Sequence, residues 1–209
     1  MEKRYELLNN DIKEVNGVTL YRIRAVKNGR DIEKGQIGAF IEKEDNLSHE
    51  GNSWIYKNAQ VYGNAYVTEN ALVHGNACVT ENALVYGNAR VCGNALVCDN
   101  AKVSGGAIIY GNARVCGNLF IDGNVNLGKD AYITKETDFM CIGPIGSRNG
   151  YTTFYLTKDK HIMVSCGCFN DTIEKFIESV QTTYKDNKIH RESYMDTIEY
   201  AKKRLLINS

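Results

Sequence analysis

The sequence carries no excess charge of either sign, since 25 lysines and arginines cancel 25 aspartates and glutamates. A balanced chain gives no global support for a nucleic-acid or membrane-surface role. Nor is there an apolar run approaching the length that spans a bilayer. The opening residues, MEKRYELLNNDIKEV, lack the apolar stretch of a secretory leader, so a cytoplasmic location is expected. Seven cysteines, an odd number, then predict reduced thiols rather than a disulfide framework. Proline is all but missing: Pro144 stands alone beside 19 glycines.

The glycines belong to a repeat. From Ala59 the chain reads AQVYGN, AYVTEN, ALVHGN, ACVTEN, ALVYGN, ARVCGN, ALVCDN and onward in sixes. Every third place from Ile55 to Ile133 is Val, Ile or Leu, and most first places are Ala. In a short strand, residues i and i+2 share a face, so each hexad turns one small and one branched apolar side chain inward. Glycine and asparagine at the end of the hexad supply a corner, because both tolerate positive φ. Three hexads close a triangular coil of about 18 residues, and coils stack at about 4.8 Å. A period of six cannot keep one helical face, so a helix is excluded.

These hexads resemble the hexapeptide-repeat family, which implies a left-handed parallel β-helix and, for many members, a trimeric acyltransferase. Tyr62, Thr68, His74, Thr80, Tyr86 and Cys92 stand where that family places a small or acidic residue. The fold therefore carries over without the activity. A wider likeness joins Gly143–Arg148, Tyr151–Tyr155 and Val164–Phe169 to uncharacterised proteins of phages and prophages.

The expected organisation is mainly β in three parts. Residues 1–46 form an N-terminal β cap with Asn16-Gly17 as a hairpin turn, and residues 47–136 form the β-helix. Residues 137–209 form a small α+β module of three strands and two helices. Its first helix carries a stripe of Ile173, Phe176, Ile177 and Val180, and its second buries Tyr194, Ile198, Ala201 and Leu205.

Chemistry is sought first in the loop from Gly143 to Gly150. Gly146, Ser147, Arg148 and Asn149, with Tyr151 and Thr153 beyond, offer backbone N–H groups, hydroxyls and a guanidinium fork to a small anion such as a nucleotide. The lysine and following helix of a P-loop are missing. Cys166-Gly167-Cys168, even with Cys141 and His161, lacks the paired spacing of a zinc site, so neither metal nor cofactor is expected. In the repeat, His74 lies one coil from Cys92 and Cys98 one coil from Cys116, on faces with no enclosing loop. Tyr66, Leu84, Tyr86 and Phe120 make one outer face more apolar than a solvent face, which predicts a dimer or trimer packed there.

The leading expectation is a non-enzymatic phage-type binding protein, in which an oligomeric spine carries a module that holds a small ligand or a host protein. It would counter a host defence by sequestering a nucleotide signal or blocking an effector. An acyl-CoA-dependent transferase using His74 and a structural scaffold are the alternatives.

Overall fold

The computed structural model describes residues 2–207. β1 (Tyr5–Val15) and β2 (Val18–Ala25) pair antiparallel about Asn16 and Gly17, both at positive φ, and β3 (Ile37–Ile41) adds to β2. From there fourteen two-residue strands recur at six-residue spacing, from β4 (Trp54–Ile55) to β17 (Tyr132–Ile133). The result is a parallel β-solenoid of about five turns. Its first face continues β3 through Gln60, Cys78, Leu96, Arg114 and Tyr132, so the N-terminal hairpin is the outer end of a solenoid sheet. The second face stacks Trp54, Leu72, Arg90, Ile108 and Asn126; the third stacks Tyr66, Leu84, Lys102 and Phe120. Pairing on the first face begins at Phe40, ahead of the first regular hexad.

The interior is a double ladder. The alanines from Ala59 to Ala113 and the valines from Val61 to Val103 are fully buried, and branched side chains favour the extended backbone they occupy. The corners work differently from expectation. From Lys57 to Lys129 only the fifth residue of each hexad is left-handed, and Lys57, Glu69, Glu81, Asp99 and Lys129 hold that place as well as glycine. The asparagines at the sixth place instead bond up the corner. Asn76 donates to Asn94, Asn94 to Asn112 and Asn112 to Asp130, at 3.0–3.1 Å. An amide offers both a donor and an acceptor, so it can bond the coil above and the coil below at once.

Cys98 and Cys116, expected as reduced neighbours, are joined in a disulfide. Stacking one above the other holds their Cα atoms 4.7 Å apart, inside the range a disulfide spans.

The C-terminal module has one strand more than the sequence pattern predicts. β18 (Phe139–Ile145), β19 (Gly150–Leu156), β20 (Ile162–Cys166) and β21 (Phe169–Thr172) form an antiparallel sheet in that order. β21 reads in sequence as the start of a helix, and its last residue is one: Thr172 caps α1 (Ile173–Thr183) by accepting from the Lys175 N–H. The Gly167-Cys168 turn folds the following residues, 169–172, back onto β20, which makes them a strand. α2 (Lys188–Ile207) follows.

Alternation along the sheet divides its two sides. Thr153, Tyr155, Met163 and Ser165 face the end of the solenoid, where Tyr155 and Met163 join the solenoid core. Phe154, Leu156, Ile162 and Val164 face α1 and α2 and form a second core with Phe176, Val180, Tyr194 and Ile198. The sheet thus closes one end of the solenoid and presents its other side to the helices.

Candidate functional site

Two hairpin tips and one helix leave a gap at the edge of the second core. The turn between β18 and β19 (146–149), the Gly167-Cys168 turn and the C-terminal half of α1 surround a cleft of about 390 Å³. Its walls are apolar and aromatic: Ile145, Phe169, Phe176, Val180, Tyr184 and Tyr194. Phe176 meets Tyr194 edge-on at 5.7 Å between centroids, and Tyr184 stacks on Tyr194 at 5.6 Å. Ser179 and Thr183, from α1, and the exposed Arg148 complete the lining.

The polar groups are held by their neighbours. Ser147 and Tyr184 share a hydrogen bond of 3.1 Å, which ties the first hairpin tip to the end of α1. Gly146 is left-handed, and a side chain there would run into the Tyr194 ring. Its bareness therefore lets Tyr194 reach the wall. Cys166, inward-facing by strand alternation, accepts from the Thr152 hydroxyl at 3.2 Å and lies 3.8 Å from the Tyr194 hydroxyl. Burial first, and then the adjacent sulfur, pushes the Tyr194 phenol up, so it stays neutral.

Of the six residues singled out in sequence, Arg148 and Tyr151 line the cleft. Gly146, Ser147 and Asn149 build the turn behind it, Asn149 at φ 47°. Thr153 is elsewhere. It faces the solenoid, where its hydroxyl accepts from the Asn126 N–H at 3.0 Å and donates to Cys141 at 3.6 Å. Two-residue alternation explains this, because Thr152 and Thr153 cannot share a side. The same alternation parts Cys141, packed on the solenoid, from Cys166, packed on the helices. Phe176, Val180 and Tyr194 read in sequence only as core stripes, and nothing in their spacing distinguishes a buried stripe from one with a cleft at its end. Tyr184, Ser179 and Thr183 carried no signal.

On the third face of the solenoid Tyr66 and Phe120 are exposed and Leu84 is half-buried, with Lys102 between them in register. Tyr86, also half-buried, borders a shallow groove with Lys102, Phe120 and Glu136. His74 sits half-buried on the second face, its N–H bonded to Val91. Burial, with Lys57 and Arg90 nearby, pushes its imidazole down, so it is neutral at pH 7. Cys92, in the next coil, has its thiol pushed up by burial, which keeps it protonated.

His49 has a structural place in the N-terminal cap. It stacks on Tyr5 at 4.4 Å and accepts the Arg4 N–H on Nδ1.

A family model described as the YdcK β-solenoid repeat matches residues 59–75. No curated protein matches the chain. The matched stretch lies wholly in the hexads, so the likeness concerns the solenoid and not the module that holds the cleft.

Proposed function

We propose that the protein is a non-enzymatic binding protein, with the solenoid as a rigid spine and the C-terminal module as the ligand holder. The observation that carries this reading is the aromatic cleft with an exposed arginine, Arg148, in its lining. A volume near 390 Å³ lies within the range of small-molecule sites, which are mostly apolar with a few placed polar groups. Flat rings offer stacking surface, and a guanidinium offers a fork to a carboxylate or phosphate. Neither histidine nor carboxylate, the commonest acid–base groups, is among the lining residues, which favours binding over catalysis in this reading. On the solenoid, His74 stands in an uninterrupted run of hexads with no inserted loop to enclose a substrate, which weighs against acyl transfer there.

In this reading the third face, with Tyr66, Leu84, Tyr86 and Phe120, packs against a second copy. The biological use that fits the resemblance to phage-borne proteins is capture of a nucleotide signal of the host.

Native mass spectrometry of protein purified from expressing cells, paired with thermal shifts against a panel of nucleotides, tests the proposal. A ligand at about 100 times its Kd stabilises the fold by about 2.7 kcal/mol, a readily measured rise in Tm. Ser179→Trp, which fills the cleft, is expected to remove that rise. No bound mass and no shift with any nucleotide would sink the reading.

A further inference from the structure

The cleft is unusual in its charge count. Arg148 is the one charged residue among the fourteen that line it, and no lysine, histidine, aspartate or glutamate joins it. Among the described residues Arg148 also has no acidic partner of its own. Its guanidinium is therefore available, and it can neutralise one negative charge.

A second or third charge on a ligand would meet aromatic walls and the hydroxyls of Ser179, Thr183 and Tyr184. Hydroxyls can hydrogen-bond an anion but do not cancel its charge, and an uncompensated ion beside apolar walls carries a desolvation penalty. Polyphosphates usually arrive with a magnesium ion held by protein carboxylates, and this lining contributes none.

Resting on the reading of the cleft as a ligand site, we infer that it takes a planar aromatic compound bearing a single negative charge, and that it rejects nucleoside di- and triphosphates. The ring lies against Phe176, Tyr184 and Tyr194, and the charge, a carboxylate or a phosphodiester, meets Arg148. Both kinds of anion present two oxygens to the guanidinium fork.

The experiment uses the full chain and four probes: cyclic AMP, indole-3-carboxylate, ATP and the neutral nucleoside adenosine. Kd is measured by calorimetry at fixed ionic strength. Occupancy is read independently as slowed alkylation of Cys166, with the solenoid thiols Cys78 and Cys92 as internal controls. At least one monoanion is expected to bind about 10-fold or more tighter than ATP and to protect Cys166. Arg148→Ala should weaken that monoanion by about 10- to 100-fold, the scale of a charge-assisted hydrogen bond, and leave adenosine unchanged. Cyclic AMP and indole-3-carboxylate, compared with each other, separate a phosphodiester from a carboxylate. If ATP binds as tightly as both monoanions, or if Arg148→Ala changes no Kd, the single-charge inference is overturned while the cleft remains a ligand site. If no probe binds and none protects Cys166, the ligand reading falls with it.

Discussion

The solenoid and the C-terminal module meet the same need, burial of apolar side chains, by opposite means. In the solenoid each coil repeats the last, so most interior alanines and valines find a like or similarly apolar neighbour above and below. Repetition leaves no room for a local exception, and the outer faces are correspondingly smooth. The module repeats nothing. Its sheet has unlike sides, its hairpin tips differ, and α1 ends beside a turn rather than over it, which leaves a gap lined by Phe176, Tyr184 and Tyr194. A binding site needs groups of different kinds converging on one point, and an aperiodic segment can arrange that where a hexad cannot.

The comparison is broken most severely by removing the module's central ring. Phe176 is buried and touches Phe154, Phe169 and Tyr194. Phe176→Ala should cost about 3–5 kcal/mol through lost burial and the cavity left behind. Because the two cores are separate clusters, hydrogen exchange should show lost protection in α1 and α2 while the amides of residues 59–115 stay protected. Equal loss in both regions would mean that the module and solenoid unfold as one unit.

A cut on the solenoid side is smaller. The Cys98–Cys116 disulfide joins positions 18 apart, on adjacent coils. A loop of that size stabilises by about 3 kcal/mol through constraint of the unfolded chain. The double variant Cys98→Ser, Cys116→Ser should therefore lose up to about 3 kcal/mol, read by denaturant unfolding of the solenoid, and leave ligand binding in the cleft unaltered. If the wild type loses no stability on reduction, the staple contributes nothing.

How much of each region could be read from sequence follows the same division. The solenoid was legible because a period of six declares itself in fourteen successive aliphatic places, from Ile55 to Ile133. Even there the division of labour at the corner was hidden: glycine and asparagine look equally suited to positive φ, and only the stacking shows that asparagine bonds its neighbours instead. The disulfide was visible as a spacing, yet the choice between two thiols and a bond does not follow from an 18-residue interval. In the module the helices and three strands were legible from their apolar patterns, whereas β21 was obscured by Asn170, Asp171 and Thr172, residues that suit a helix start. Arg148 stood out as the one cation in a glycine-rich loop. Its aromatic partners did not, because Phe176 and Tyr194 are separated from it by the topology of a sheet that no local pattern records.

The smallest expected effect sharpens the comparison at the opposite end of the solenoid. His49 stacks on Tyr5 and accepts the Arg4 N–H, and the second contact requires an unprotonated Nδ1. Burial, the largest influence, pushes its pKa below the ordinary histidine value, although Glu44 pulls the other way. A histidine that is harder to protonate when folded makes the unfolded chain bind more protons below about pH 6.5, so stability falls as pH drops through that window. Glu44 is shifted down by its hydrogen bond to Lys3, and its contribution is lost as pH falls from the ordinary carboxylate value downward, a window separate from that of His49. Thermal unfolding between pH 7.5 and pH 5.5 should show a modest decline for the wild type, with the earliest loss of exchange protection in β1 and β2. His74, also shifted down by burial, adds to the decline from the second face. His49→Gln should flatten the part that belongs to the cap, and the cleft, with no histidine or carboxylate among its lining residues, should bind its ligand equally well throughout. A pH-independent Tm in the wild type would show that neither imidazole is held neutral by the fold.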